Sequence, residues 1–188
     1  MPRVYVLGLG NVLMGDDGFG PAVIRAFEAS YDAGPDVEVI DLGTPGLDLT
    51  PWLADSHHVV IVDTVKAPLE PGALRMYDKS DLMRDAPFAR TGPHDPGVKE
   101  CIFTLEFAGR APEHITVVGV VPGPVGMSLE LSEAVSAAIP VAVEAIAVAL
   151  TAHGHPPCPR QQRPLDDWWH LPETVPMALS AGRFAYCR

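Results

Sequence analysis

Asp16 and Asp17 follow a glycine-rich turn in "VLGLGNVLMGDDGFG" (6–20), where a phosphate-binding loop would receive its anion. Gly8 and Gly10 match the first half of a dinucleotide fingerprint, but Leu13 stands where the third glycine belongs. Carboxylates at that place repel a pyrophosphate, although Asp41, ending the next strand pattern, would suit a ribose hydroxyl. A plainer role for the aspartates is to cap the helix that follows. A third role is to hold a cation.

The other strand ends favour the cation. In open α/β sheets, ligands bind outside the carboxyl ends of the strands. "VVIVD" delivers Asp63 to that edge, "VEVID" delivers Asp41, and His94 stands immediately before Asp95, the expected N-cap of a later helix. Carboxylates with one imidazole make an oxygen-rich set suited to a divalent ion, with positions left open for a further ligand. A histidine beside the positive end of a helix is held neutral, the form that binds metal. Taken singly, Asp63 reads equally as a partner for loop amides and His94 as a surface residue.

Other chemistry is poorly represented. There is no G-x-S-x-G elbow, no HExxH and no CxxC. Cys101 falls on the apolar stripe of a helix pattern, which points to packing rather than nucleophilic work. "HGHPPC" (153–158) has the look of a metal clip, but a proline-broken stretch more often carries such residues incidentally. His57 and His58 precede a strand pattern and are expected to be solvated.

The elements that position these residues alternate between strand and helix. Apolar runs at 3–9, 37–42, 58–65 and 114–122 read as buried strands, and a helix pattern spans about 18–31. Residues 47–56 read as a short helical segment. The strand pattern at 72–78 follows a connector too short for a helical crossover, so it is expected to run antiparallel to its neighbours. Val98, Cys101, Ile102, Leu105 and Ala108 give a second helix stripe. A long third helix, ending near Gly154, is expected to be interrupted at Pro140. The alternation predicts a three-layer α/β/α sandwich on a mostly parallel five-stranded sheet with one antiparallel strand, a phosphorylase/hydrolase-like fold. That domain would occupy residues 1–154, with a proline-rich irregular extension over 155–188.

With 13 Lys and Arg against 24 Asp and Glu, the net charge of −11 argues against nucleic acid and against an anionic membrane face. No uninterrupted apolar run is long enough for a spanning helix. The N-terminus enters a strand pattern without an export signal, and the three cysteines are expected to be reduced thiols, so a cytoplasmic setting is expected.

"GLGNVLMGDDGFGPAVIRAFE", "VEVIDLGTPGLDL", "HHVVIVDTV", "GPHDPGVKE" and "ITVVGVVPGPVGMSLELSEAV" together resemble the nickel–iron hydrogenase maturation endopeptidases in order and spacing, over roughly residues 3–150. The resemblance implies an endopeptidase that removes the C-terminal extension of a hydrogenase large-subunit precursor after nickel insertion. It implies metal contact through Asp17, Asp63 and His94, with nickel carried by the substrate, although other divalent metals would fit the same set. Hydrolysis without a Ser or Cys nucleophile would then follow from water attacking a metal-polarised carbonyl, or from Asp16 or Asp17 serving as general base on that water; the sequence does not decide between the two. The resemblance also inclines toward a monomer whose partner is the precursor. Pro96 and Val121 depart from the family pattern, which more often has leucine and glutamate there. The runner-up readings are a related peptidase for another metalloprotein precursor and a non-catalytic module binding metal or nucleotide.

Overall fold

The computed structural model describes residues 3–45, 49–84, 98–123 and 125–160. Its central sheet has five strands in the order β3-β1-β4-β6-β5: β1 (Arg3–Leu9), β3 (Val37–Gly43), β4 (Ser56–Thr64), β5 (Leu74–Asp78) and β6 (His114–Val120). The pairs β1/β3, β1/β4 and β4/β6 are parallel, and β5 lies antiparallel on β6. The expected sheet is therefore the observed one, and the short chain between β4 and β5 is what forces the reversed strand.

Alternation along each central strand builds a core on both faces. Val4 and Val6 of β1, Val60 and Val62 of β4, and Val118 and Val120 of β6 face one layer. That layer is α1 (Phe19–Ser30) and α5 (Glu133–Ala152), which contribute Phe19, Phe27, Ile146 and Leu150. Tyr5, Leu7, Val59, Ile61, Ile115 and Val117 face the opposite layer. There α2 (Thr50–Leu53), α3 (Lys79–Arg84) and α4 (Val98–Phe107) supply Leu53, Leu82, Cys101, Ile102 and Leu105. Cys101 is not in a disulfide and is 1% exposed, as its place on the stripe predicted. Cys158, by contrast, is disulfide-bonded, which departs from the expectation of reduced thiols; the spacing of the cysteines gave no sign of pairing.

Gly20 sets how closely α1 sits on the sheet. A Cβ there would lie 2.6 Å from the Val62 carbonyl oxygen and would overlap the Leu9 carbonyl. Since both obstacles are backbone, Gly20→Ala is expected to cost about 3 kcal/mol or more, read as a lowered urea midpoint.

Three local expectations are corrected. The long helix α5 is unbroken through Pro140, which lies on its exposed side, where water reaches the carbonyl the proline leaves unbonded. By length and composition α5 could cross a membrane, yet Val135, Ile139, Ala142 and Ile146 are buried in the core. His57 and His58 lie inside β4 rather than ahead of it, and His58 is fully buried. The strand starts earlier because His58 pairs with Val4 on one side and with His114 on the other. Finally, the chain beyond α5 does not leave the domain at once. β7 (Cys158–Pro159) pairs with β2 (Tyr31–Asp32), and Arg160 N donates to the Ser30 carbonyl at 2.8 Å. Residues 161–188 lie outside the described residues, as does the expected helix start at Asp95–Pro96.

Candidate active site

Asp17 and Asp63 meet at the carboxyl edge of the sheet. β1 ends at Leu9, and the chain turns at Gly10 in a left-handed conformation, φ 129°, with Gly10 N donating to the Gly43 carbonyl at 2.8 Å. A Cβ on Gly10 would overlap the Asp17 carbonyl, so only glycine lets the loop fold back on itself. The loop then enters a 3-10 turn, Asp16–Gly18, which runs into α1. Asp17 is 4% exposed, and its Oδ2 accepts from Asn11 N at 2.9 Å.

Asp63 sits at the end of β4, partly buried, with Oδ1 accepting from Thr64 N at 2.7 Å. Burial, and secondarily the Asp17 charge, push its carboxyl up to about 7. Asp63 and Asp17 are like charges held close enough for the Asp17 carboxylate to raise the proton affinity of Asp63. A cation relieves that state, and an oxygen donor set suits a divalent one. Asp63 therefore holds its proton to a higher pH than an ordinary carboxylate does.

Asp16, adjacent in sequence, does different work. It is 1% exposed; Oδ1 accepts from Ser132 N at 2.6 Å, and Oδ2 from Gly123 N at 2.7 Å and Ser132 Oγ at 2.9 Å. Ser132 is the N-cap of α5, so the Asp16 carboxylate lies against the positive end of that helix and binds the first loop to the last. Gly15 N donates to the Ser128 carbonyl at 2.8 Å, and Ser128 N to the Leu13 carbonyl at 3.0 Å, which joins the same loops a second time. Reasoning from sequence missed Ser132 and Gly123 here. The available signal was a serine one residue before Glu133 at the head of a long apolar helix.

Asp41 remains exposed on β3, with Oδ1 accepting from Gly43 N at 3.0 Å. His94 lies outside the described residues. The rim of the edge is apolar: Leu13, Val125, Met127 and Leu129 are 56%, 44%, 95% and 67% exposed on the two loops that clasp each other. These large apolar side chains were not singled out in the sequence, because helix and strand periodicity say nothing about loop residues.

Comparison with known proteins agrees with this architecture. The profile of a family described as hydrogenase maturation protease matches residues 21–149. The hydrogenase 2 maturation protease of Escherichia coli is 30% identical over 159 residues, covering 85% of this chain and 97% of that protein. The hydrogenase expression/formation protein HupD of Rhizobium leguminosarum is 30% identical over 158 residues, 81% of this chain and 76% of its own. Among solved structures, the E. coli hydrogenase maturating endopeptidase HybD superposes with a TM-score of 0.76 at 31% identity, covering 84% of this chain and 98% of that one.

Proposed function

The chain belongs to the hydrogenase maturation protease family, a peptidase family, and from that premise we propose that it removes the C-terminal extension of a nickel–iron hydrogenase large-subunit precursor once nickel is in place. Nickel here is part of the substrate. The observation that supports its recognition is the Asp17–Asp63 pair, whose mutual repulsion a cation offsets, and His94 would supply the nitrogen donor. An incoming precursor lacking metal would find two carboxylates and nothing to satisfy them, so loaded and unloaded substrates would be distinguished by charge.

In the cleavage step, the substrate nickel held by Asp17 and Asp63 would polarise the scissile carbonyl for attack by water. Asp16 is already saturated by hydrogen bonds to Gly123 and Ser132 and serves as a brace. Cys101 is buried on the core-facing side of α4 and offers no nucleophile. The apolar rim would grip the extended chain on either side of the scissile bond through contacts that exclude water.

Nickel-loaded precursor incubated with wild type, Asp17→Asn, Asp63→Asn and His94→Ala should be processed by wild type alone. Full processing by His94→Ala would sink the ligand assignment, and no processing of any hydrogenase precursor by wild type would sink the function. With wild type, kcat/KM is expected to rise as pH increases through about 7, where Asp63 ionises. Met127→Asp with Leu129→Asp should leave the fold intact and lower kcat/KM roughly tenfold, mainly through KM, as the loss of two apolar contacts implies. A wild-type KM in that double variant would remove the rim from substrate binding.

A further inference from the structure

The opposite edge of the sheet carries a second cluster of ligating groups. His57 and His58 lie at the start of β4, Glu113 immediately precedes β6 and His114 opens it, and β4 and β6 are paired so that His58 and His114 are direct neighbours. Glu113 lies between two imidazoles: its Oε2 is 2.9 Å from His57 Nδ1 and its Oε1 3.6 Å from His114 Nε2. Ligand atoms of His57, Glu113 and His114 all fall within 4.8 Å of one another. From the end of α5, the His153 ring packs 4.4 Å from that of His114 and 4.1 Å from that of His58.

We propose that His57, Glu113 and His114, completed by His153, form a second binding site for a divalent transition-metal ion, separate from the Asp17–Asp63 edge. Three imidazoles and one carboxylate are a four-coordinate set typical of zinc and acceptable to nickel or copper, and too rich in nitrogen for magnesium or calcium. His153 is the C-cap of α5, so the negative end of that helix lies beside the cluster, which favours a cation. A further observation is the fully buried His58. Its Nε2 is 3.1 Å from Thr116 Oγ1, while its Nδ1 has no hydrogen-bond partner among the described residues. A polar atom left so, inside a nest of imidazoles, marks a polar interior that the fold alone does not complete. His58 to Asp63 is five residues of strand, about 17 Å, so one ion cannot serve both places. "HGHPPC" thus contributes through His153 to a site spread over three elements rather than acting as a clip on its own.

The test uses untagged full-length protein carrying Asp17→Asn and Asp63→Asn, so that the carboxylate edge cannot bind. Zinc is titrated against a chromophoric chelator, with millimolar magnesium present throughout. One equivalent of zinc is expected to bind in this background, and the further changes His57→Gln and His114→Gln should each weaken it at least tenfold. Both positions are partly exposed, so the variants should fold, which far-ultraviolet circular dichroism checks. As a second measurement on the unaltered protein, cobalt should broaden imidazole proton resonances beyond those of His94. No zinc uptake in the background protein, unchanged affinity in the folded histidine variants, or cobalt broadening confined to His94 would each overturn the proposal. Because the carboxylates are removed, failure here leaves the proposed peptidase function standing, and loss of that function leaves this site standing.

Discussion

Replacing Asp63 with asparagine is expected to stop precursor processing and at the same time make the folded protein harder to unfold at pH 8. The two effects come from one cause. The carboxyl sits in a partly buried place beside Asp17, and its proton affinity in the folded state is lifted from 3.8 to about 7. Folding therefore favours the protonated form. Below about pH 4 both folded and unfolded chains hold the proton, and Asp63 carries no penalty. As pH rises from there toward 7, the unfolded chain releases its proton first, so stability falls across that window; above it the penalty is complete. A shift of that size corresponds to a ceiling on the order of 4 kcal/mol.

Asparagine keeps the acceptor for Thr64 N and removes the charge. Wild type and Asp63→Asn should thus have similar urea midpoints near pH 4 and diverge steadily toward pH 8, with the variant more stable. A variant that follows wild type at every pH would show that the carboxylate is not strained. Divalent metal should narrow the gap by stabilising wild type alone, since a ligand that binds only the folded state adds RT ln(1 + [L]/Kd). Such a trade of stability for a charged site is the usual mark of residues kept for chemistry rather than for packing.

How much of this was legible in the sequence depended on whether neighbours in space were also implied by period. The sheet was legible: valines and isoleucines at alternate positions of β1, β4 and β6 announce strands buried on both faces, and the short connector before β5 announces the reversed one. Asp63 was legible too, because a carboxylate closing an apolar strand has only the sheet edge to occupy. The histidine cluster was not. His58 and His114 are far apart in sequence and become neighbours only once β4 and β6 are adjacent and in register, which no local pattern states. His57 and His58 read as a solvated approach to the strand because polar side chains seldom begin a buried one. Pro140 read as an interruption because the rule against proline in helices concerns the lost bond, and on a solvent-facing side water makes that loss tolerable.

Asp16 and Asp17 form the hardest case, since adjacent identical residues give a sequence nothing to separate them. The expected result is that they separate completely on mutation. Asp16→Asn should lower stability by about 3 kcal/mol or more, seen as a large drop in the urea midpoint, whereas Asp17→Asn should unfold near wild type and lose processing. The reason is what each carboxylate accepts. Asp16 takes three donors, from Gly123 N, Ser132 N and Ser132 Oγ, in a place 1% exposed. An asparagine there must turn its NH2 toward at least one of those donors, leaving a buried clash where a charge-assisted bond had been. The loss also weakens the start of α5, because Ser132, whose hydroxyl caps Val135 N at 3.4 Å, is held by the same carboxylate. At Asp17 an amide oxygen can still accept from Asn11 N, and removing the charge eases the repulsion on Asp63. The comparison has a clear failing outcome: if Asp17→Asn loses stability as heavily as Asp16→Asn, both aspartates are braces and the cation edge is left with Asp63 alone. If instead stability divides as stated while processing is lost in Asp17→Asn, the turn has assigned one carboxylate to hold the loops together and presented the other to the substrate, a division fixed by which side of the 3-10 turn faces α5.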